Sequence, residues 1–357
     1  MGHARTTLAD VAAAAGVSVS TASLAFSGAG PISADTKAKV LAAAERLGYS
    51  GPNPLGRSLR SGRSGIVGVV VGDNLARAFR DPVQVRVLDG LVEDLGERGL
   101  GVLLITAADS WGVDAQPDPL LVTAAMDVVV LLFGGHANDP SLAAAGQRGL
   151  PVVIAEAPEA AEALAAAHVR IEDRAGSAVL LTHLRELGHE RIGCVTLPIG
   201  GRRRLGEPDA ARLAGIGWPP PRNRLAAFAD AGIEPAVVVE ARASLVEEGR
   251  AAGHLLLNRP DRPTAIFAQS DLLAAGVLLA ARERGIQVPQ ELSVAGFDGL
   301  DLPWLAPDVL TTVEQPLTEK GRALGRQVGA ILAGEAPETI VLGVELRVGT
   351  TTGPPIA

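Results

Sequence analysis

The chain has 357 residues, of which 47% are hydrophobic and 20% charged, with one cysteine and a formal net charge of −8 at pH 7. This length exceeds what one hydrophobic core usually serves, and the composition excludes collagen-like and disordered chains. No apolar run approaches the roughly 20 residues that cross a bilayer, and no signal peptide is recognised, which predicts a cytoplasmic protein. The single Cys194 excludes an internal disulfide framework, and its apolar surroundings predict a buried thiol.

Charge is unevenly distributed along the chain. The first 60 residues carry six basic and three acidic side chains, a formal charge of +3, which leaves −11 for the remaining residues. A basic head on an acidic body is the distribution expected when only the head contacts phosphate.

The first fifty residues carry helix start and stop signals at short intervals. Thr7 stands three residues before Asp10, which is the spacing of a capping box, and Gly16 supplies a left-handed stop. Ser18 then caps a second helix at once, so the first two helices must cross steeply. The small residues Ala12, Ala15 and Ala22 allow this close crossing, and Val17 fills the turn between the two helices.

A third helix is predicted from the cap Ser33 to Gly48, with Val40, Leu41, Ala44 and Leu47 on one face. The three helices indicate a helix-turn-helix module that reads DNA. The alternatives are a generic three-helix bundle and a signal peptide whose apolar run covers residues 11–17. Asp10, which comes just before that run, and the helix caps after it disfavour the signal peptide.

Residues 50–65 are rich in Gly, Pro, Ser and Arg. The sequence Pro52-Asn53-Pro54 is typical of a helix start, and residues 55–59 suffice for one or two turns, too short to be stable alone. Such a segment folds only on a partner. The alternative is a plain flexible linker.

From residue 66 onward, apolar strands alternate with helices. The first series has predicted strands at 66–71, 102–106, 128–133 and 152–155, with helices at 83–98 and near residues 120 and 141. The second series has strands at 168–171, 192–197, 237–239, 265–268 and 293–297, with helices at 175–187, 224–231, 245–258 and 272–284. This pattern indicates two doubly wound parallel sheets with a ligand cleft between the carboxyl ends of their strands. Residues 200–221 interrupt this alternation of strands and helices, and we predict a long surface loop there.

Five segments, in order along the chain, resemble the lac and purine repressor family. They are LADVAAAAGVSVSTAS, PNPLGRSLR, HLRELGHERIG, RPTAIFAQSDLLAAGVLLAARERGIQVPQELSVAGFD and LTTVEQP. The resemblance implies an N-terminal all-α helix-turn-helix headpiece plus an α/β periplasmic-binding-protein-like body of two doubly wound parallel-sheet subdomains. It also implies a homodimeric repressor of operator DNA that is controlled by a small effector, a sugar or a related metabolite.

The expected domains follow from this resemblance. The headpiece covers residues 5–50 and the hinge 51–63. The N-terminal effector subdomain covers 64–167 and 316–336, and the C-terminal one covers 168–315 and 337–357. The chain ends soon after a predicted last strand at 345–348, so we expect a dimer without a tail that forms tetramers.

The resemblance assigns the DNA contacts to the start of the second helix. Val19, Ser20 and Leu24 occupy positions that face base edges in the major groove. The residues suited to phosphate contacts are Ser18, Thr21, Ser23 and Ser27. Valine and leucine contact a thymine methyl but cannot make the bidentate hydrogen bonds that select guanine or adenine, so the operator sequence does not follow from relatives.

In the hinge, Leu59 matches the leucine that similar repressors wedge into the minor groove, and Arg57 lies near the DNA backbone. Two departures weaken this transfer. Gly51 is an extra residue before the hinge, and Gly56 replaces an alanine at a cost of about 1 kcal/mol in a helix. A linker that never becomes ordered remains the alternative.

The resemblance places eight residues in the effector cleft, namely Phe79, Asp173, Arg224, Arg242, Ser244, Ser270, Asp271 and Asp298. Carboxylate and guanidinium groups bind vicinal hydroxyls, and an aromatic ring packs on the apolar face of a sugar. Three have structural alternatives: Asp271 as a helix cap, Phe79 as a core residue and Arg224 as a surface charge. Asp298 follows a strand, where parallel sheets bind ligands. Residues 72–82 differ from common family members, so the effector's identity is not predicted.

Two other functions compete with a transcriptional regulator. A transport-type sugar-binding protein would share the body, but the capped headpiece and the lack of a signal peptide disfavour it. An enzyme is disfavoured because no phosphate-binding glycine fingerprint follows the first strand and the six histidines are scattered, so we expect neither cofactor nor metal. Binding of a defined DNA duplex would separate the three functions.

Overall fold

The computed structural model describes residues 6–27, 30–51, 62–72, 75–107, 116–132, 139–157, 167–200 and 203–356. The protein comprises two compact units, residues 1–65 and 66–357. Within the described residues, no single helix has both the length and the apolar character needed to cross a membrane. Residues 52–61, which include most of the predicted hinge, lie outside the described residues.

The first unit contains the three predicted helices, α1 (Leu8–Ala15), α2 (Val19–Ser27) and α3 (Ala34–Arg46). The capping box is confirmed, because the Asp10 N–H donates to Thr7 Oγ1 and the Thr7 N–H donates to the Asp10 carboxylate at 2.8 Å. Gly16 ends α1 in the left-handed region, with a φ of 66°. The backbone then bends by 103° into α2, which is the steep crossing predicted from the short connection.

Small side chains dominate the core of the first unit. Its buried residues are Val11, Ala12, Ala22, Ala25, Val40, Ala43 and Ala44. Leu41 and Leu47, predicted on the buried face of α3, are exposed instead. Leu41 lies about 100° around the helix from Val40, and Leu47 is already the residue that caps the end of α3.

The second unit contains two six-stranded sheets. The first comprises β1 (Ile66–Val71), β2 (Gly101–Thr106), β3 (Val128–Leu131), β4 (Val152–Ala155), β5 (Ala167–Ile171) and β11 (Thr339–Leu342), in the order β2-β1-β3-β4-β5-β11. The second comprises β6 (Ile192–Thr196), β7 (Val237–Glu240), β8 (Ala265–Ala268), β9 (Ser293–Asp298), β10 (Thr311–Glu314) and β12 (Glu345–Arg347), in the order β7-β6-β8-β9-β10-β12. Neighbouring strands run parallel except for the antiparallel pair β10 and β12. The predicted α/β body with two parallel-dominated sheets is confirmed.

Helices connect these strands. They are α4 (Leu75–Ala78), α5 (Pro82–Glu97), α6 (Pro119–Thr123), α7 (Pro140–Gln147), α8 (Asp173–Glu186), α9 (Ala210–Ala214), α10 (Pro219–Asp230), α11 (Val246–Leu257), α12 (Asp271–Glu283) and α13 (Leu317–Ala333), with a 3-10 turn at Pro303–Leu305. Two helix pairs meet at glycines. A Cβ on Gly321 of α13 would lie 2.0 Å from the Val87 carbonyl oxygen of α5, and one on Gly276 of α12 would lie 2.2 Å from that of Val246 in α11. These close contacts hold α5, α12 and α13 in fixed positions.

Strand pairing corrects two of the predicted subdomain boundaries. β5 pairs with β4, and β11 pairs with β5, so residues 167–171 and 339–342 belong to the first sheet rather than the second. A buried parallel strand is a continuous apolar run in either sheet, so its sheet membership is not visible in the sequence. The chain therefore crosses between the sheets after β5, after β10 and after β11.

The segment 200–221 contains regular structure where we predicted only a loop. It includes α9 and the start of α10, and Gly206 forms an isolated antiparallel bridge with Glu240 of β7. α10 begins at Pro219 rather than at Arg224 as predicted. Proline lacks the N–H that the first turn of a helix leaves unbonded, so the prolines at 219–221 start this helix instead of breaking it.

Candidate functional site

The predicted DNA-reading surface lies at the start of α2. Val19, the first residue of the helix, is 50% exposed, and Ser18 and Ser20 beside it are exposed as well. Ser18 Oγ accepts a hydrogen bond from the Thr21 N–H at 3.1 Å, which confirms its capping role. An exposed methyl-bearing side chain between hydroxyls offers both apolar contact and hydrogen bonds to a groove.

The other predicted DNA contacts are less exposed or lie outside the described residues. Ser23 and Leu24 are half-buried in α2. The Ser27 side chain, Arg57 and Leu59 are outside the described residues, so their roles stay predictions.

A cavity of about 130 Å³ lies at the carboxyl ends of both sheets of the second unit. Its lining includes Glu156, which follows β4 of the first sheet, and Ser270 and Asp298, at the ends of β8 and β9 of the second. The ends of parallel strands are where open α/β sheets bind ligands. The cleft predicted from the alternation of strands and helices therefore exists.

Arg224 is the central cation of the wall that the second sheet forms. It is almost fully buried in α10, and its guanidinium carbon lies 3.6 Å from the centre of the Phe297 ring. Its nitrogens lie 3.9 Å from a carboxylate oxygen of Asp298 and 3.9 Å from one of Asp173. It donates a hydrogen bond to the Gln269 carbonyl oxygen, which fixes its position. Arg224 is therefore not the surface charge that we considered as its alternative.

Asp298 also lines the cavity, at the last position of β9. Its φ of 135° is unusual for a residue with a side chain, and such strained backbone is concentrated at functional sites. Its carboxylate accepts a hydrogen bond from Gln315 Nε2 at 2.7 Å. Burial raises the pKa of Asp298 well above its ordinary value, and the Arg224 guanidinium partly opposes this shift.

Ser244 and Ser270 place two hydroxyls on the same wall. Their Oγ atoms lie 2.9 Å apart, and Ser270 Oγ accepts a hydrogen bond from the Leu273 N–H, so Ser270 is the N-cap of α12. Asp271, which follows it, is fully buried and does not line the cavity. Its carboxylate accepts hydrogen bonds from the Leu300 N–H at 2.7 Å and from a threonine hydroxyl. Asp271 is therefore structural, and the predicted effector contact is wrong.

Three more predicted effector residues lie outside the cavity lining. Phe79 follows α4 with its side chain 55% exposed, so it is not a core residue, and its predicted effector contact stays a prediction. Arg242 is half exposed and forms an ion pair with Glu248 at 3.0 Å. Asp173 is buried at the start of α8, where burial raises its pKa to about 6. It accepts a hydrogen bond from Asn223 Nδ2, and one of its carboxylate oxygens lies 3.9 Å from Arg224 Nε.

The wall that the first sheet forms holds residues that the sequence analysis missed. They are Arg77, Asp81, Gln84, Glu156 and Lys320. Lys320 of α13 forms a buried ion pair with Glu156, whose φ of 56° lies in the left-handed region. Asp81 caps α5 through the Val83 N–H at 2.9 Å, and burial raises its pKa to about 6. Asp81-Pro82 is a recognisable helix start, but 164 residues separate Lys320 from Glu156, and no local signal links them.

Several buried polar atoms around the cavity have no hydrogen-bond partner among the described residues. Within the described residues, Arg224 Nε is a donor without a partner, and Gln84 Oε1 and Gln315 Oε1 are acceptors without partners. Buried polar atoms rarely stay unpaired, so these groups indicate a polar ligand or water between them. No group of three His, Cys, Asp or Glu side chains suited to a metal ion occurs in the described part of the chain.

Two family matches cover most of the chain. Residues 7–53 match the bacterial regulatory proteins of the lacI family, and residues 181–352 match the periplasmic binding protein-like domain. The first match covers the capped helices, and the second covers the second sheet with its wall of the cavity.

Relatives of known role match along nearly the whole chain. An HTH-type transcriptional regulator of Mycobacterium tuberculosis is 35% identical over 357 residues, with 98% of each chain covered. The HTH-type transcriptional regulator IpsA of Corynebacterium glutamicum is 34% identical over 360 residues, again with 98% of each covered. The HTH-type transcriptional repressor CytR of Escherichia coli is 31% identical over 320 residues, which cover 88% of this chain and 86% of CytR.

Solved structures agree with the fold. The transcriptional regulator CelR in complex with cellobiose superposes with a TM-score of 0.66 at 27% identity, over 97% of this chain and 100% of CelR. The lac repressor dimer bound to operator and an anti-inducer gives 0.79 at 22% identity, over 98% and 100%. The relatives are regulators rather than enzymes or transport proteins, so neither competing function is favoured. The chain belongs to the lacI family of bacterial regulatory proteins and is a DNA-binding transcriptional regulator.

Proposed function

We propose that this regulator is a homodimeric repressor whose affinity for operator DNA is set by a small polyhydroxylated effector, a sugar or a related metabolite, bound in the cavity. The observation that carries the proposal is the cavity itself, which has open donors and acceptors at the carboxyl ends of both sheets. The cellobiose of CelR and the operator-bound dimer of the lac repressor support the proposal by analogy. Because bacterial DNA lies in the cytoplasm, the protein acts there.

The two buried cations of the cavity lining, Lys320 and Arg224, each lie beside a carboxylate, and we infer a neutral ligand from this pairing. Lys320 is neutralised by Glu156, and Arg224 lies near the carboxylates of Asp173 and Asp298. A ligand with a full charge would leave one of these charges uncompensated in a buried site. Hydroxyl groups both donate and accept hydrogen bonds, and they suit a lining that presents donors and acceptors of both kinds. The volume of about 130 Å³ is close to the roughly 150 Å³ that holds one six-membered ring.

The effector contacts are proposed for four of the eight predicted residues. Arg224, Ser244, Ser270 and Asp298 all line the cavity. Arg224 Nε and Asp173 Oδ2 lie 3.9 Å apart, and neither atom has a hydrogen-bond partner within the described residues. A ligand hydroxyl or a water between Arg224 and Asp173 would satisfy both atoms.

The DNA contacts are proposed for the exposed start of α2. Val19, Ser20 and Leu24 would contact base edges, and the hydroxyls suited to phosphate belong to Ser18, Thr21, Ser23 and Ser27. The hinge residues Arg57 and Leu59 would contact the backbone and wedge into the minor groove of a kinked operator. Selectivity would come from thymine methyls and from DNA shape, because neither Val19 nor Leu24 makes hydrogen bonds through its side chain.

Coupling follows from where the ligand sits. A ligand that contacts both walls binds one angle between the two sheets better than others, and it therefore shifts the population toward that angle. Either sign of control, release from DNA or binding to it, is compatible with this arrangement.

Two measurements in sequence test the proposal. Fragments that the protein selects from genomic DNA should share a near-palindromic site, as two-fold symmetry requires. A thermal-shift screen of sugars, polyols and nucleosides should then raise the melting temperature with at least one neutral hydroxylated compound. The same screen includes sugar phosphates and nucleotides as anionic counterparts. Selection of unrelated fragments would contradict the operator, and stabilisation only by the anionic compounds would contradict the effector class.

A further inference from the structure

The segment 203–218 forms part of the cavity wall, through Arg203 and Trp218. Backbone hydrogen bonds join this segment to β7, the edge strand of the second sheet. The Gly206 N–H donates to the Glu240 carbonyl oxygen at 3.2 Å, and the Glu240 N–H donates to that of Gly206 at 2.8 Å. The segment is thus bound to the sheet by its backbone.

A buried ion pair adds a second attachment. The Glu240 side chain is 1% exposed, and both of its oxygens accept hydrogen bonds from the Arg212 guanidinium, at 2.5 and 2.7 Å. Arg212 also donates to the Gly200 carbonyl oxygen at 2.8 Å, and the Ile199 N–H donates to the Glu240 carboxylate at 3.2 Å. A buried carboxylate is costly unless it is fully paired, so this network holds the segment in one position.

Among the described residues that line the cavity, Trp218 is the only one with an aromatic side chain. It is half-buried and, like Leu205, packs against the core of the second sheet. Pro219 follows it directly and opens α10 with a fixed φ, so the backbone of Trp218 leads into a rigid helix start. The same helix carries Arg224. Trp218, the residue before this helix, and Arg224, within it, therefore both line the cavity.

This inference rests on the proposed function and names the shape of its effector. We propose that Trp218 stacks on the ring of a cyclic polyol or sugar, the role that Phe79 was predicted to have, and that the pair of Arg212 and Glu240 positions the segment that carries it. An indole ring contacts the C–H face of a closed ring, whereas a linear polyol has no such face. The cavity therefore prefers a cyclic compound over its linear counterpart.

Calorimetric titration with glucose, galactose, ribose and the linear polyol glucitol tests the stacking. The wild type should bind at least one cyclic sugar more tightly than glucitol. Trp218→Leu should weaken the cyclic sugar about tenfold and leave any glucitol binding unchanged, and Trp218→Phe should retain most of the affinity. Trp304→Phe is the matched control, because Trp304 is exposed and lies outside the cavity lining.

The failures of the two proposals are distinguishable. Wild-type affinity for the cyclic sugar in Trp218→Leu, at an unchanged melting temperature, would overturn the stacking alone. If no neutral hydroxylated compound of the thermal-shift screen binds the wild type, the proposed effector class is overturned, and the stacking with it. If only linear polyols bind, the effector class stands and the stacking is overturned.

Glu240→Gln tests the positioning role. Hydrogen exchange of the amides between Arg203 and Trp218 should become faster, and the preference for the cyclic sugar over glucitol should fall toward unity. Faster exchange with an unchanged preference would show that the pair holds the segment without serving recognition. Arg212→Lys, which keeps the charge, should restore part of the preference relative to Arg212→Met.

Discussion

The two walls of the cavity use their charges differently. On the wall of the first sheet, Lys320 is paired with Glu156, and both side chains are almost fully buried. On the wall of the second sheet, Arg224 lies 3.9 Å from carboxylate oxygens of Asp298 and Asp173, and its Nε has no hydrogen-bond partner within the described residues. A neutralised pair holds structure, whereas a cation that keeps an open donor is available to a ligand. The difference assigns the cation of the first wall to structure and the cation of the second wall to ligand recognition.

Breaking the pair in the first wall should have the largest effect. Lys320→Met leaves Glu156 buried without its cation, so we expect the free energy of unfolding to fall by about 3–5 kcal/mol. Urea denaturation followed by circular dichroism measures the loss. The double variant Lys320→Met/Glu156→Leu removes both charges and should recover most of it. A single variant within about 1 kcal/mol of wild type would show that the pair does not hold the first wall.

Removing a carboxylate from the second wall should act on the ligand instead. Asp298→Ala removes an acceptor of charge-assisted hydrogen bonds worth about 1.5–3 kcal/mol, so effector affinity should fall about tenfold to a hundredfold. Calorimetry with a confirmed effector measures this, and operator affinity without effector should be unchanged. Arg242→Ala, at an exposed position outside the lining, is the control.

Two results would reassign Asp298. Wild-type effector affinity in Asp298→Ala would make it a structural residue only. Loss of both activities with a lowered melting temperature would mean that it holds the fold, and Asp298→Asn, which tolerates the positive φ better, would then separate folding from binding.

The first wall should also contribute a pH dependence. Burial raises the pKa of Asp81 to about 6, so the folded protein keeps a proton that the unfolded protein loses near pH 4. The stability contributed by this group is therefore complete at low pH and is lost as the pH rises through 6. Relative to Asp81→Asn, which can still cap α5, the wild type should lose about 2 kcal/mol between pH 4 and pH 7. An equal difference at both pH values would contradict the shifted pKa.

The smallest effect is expected at Phe79, which is exposed beside the first wall. Phe79→Ala should change the free energy of unfolding by no more than about 0.5 kcal/mol and leave effector affinity unchanged. Denaturation and calorimetry measure the two quantities. A loss of effector affinity beyond about threefold would place Phe79 in the bound site and mean that the first wall also recognises the ligand.

Local signals explain which features were predictable. The capping box of Thr7 and Asp10 and the stop at Gly16 depend on neighbours within one helical turn, and both are confirmed. Asp298 was predicted in the cleft because it ends a clearly apolar strand. Arg224, Ser244 and Ser270 of the second wall were predicted through the family resemblance, whereas Trp218 on the same wall was not predicted.

Long-range geometry explains the rest. Glu156 and Lys320 meet only in the folded protein, and nothing near either residue indicates the other. Phe79 and Arg242 were predicted in the cleft through the family resemblance, but the sequence does not fix the direction in which their side chains point. Sheet membership of β5 was not predictable either, because its apolar pattern suits both sheets.

Operator affinity measured with and without saturating effector tests the central claim most directly. For the wild type, the account predicts a change of at least about fivefold in either direction, as expected for coupled sites. In Asp298→Ala, the effector concentration that saturates the wild type should produce a much smaller change. An operator affinity that stays the same while calorimetry shows the effector bound in the cavity would contradict the account.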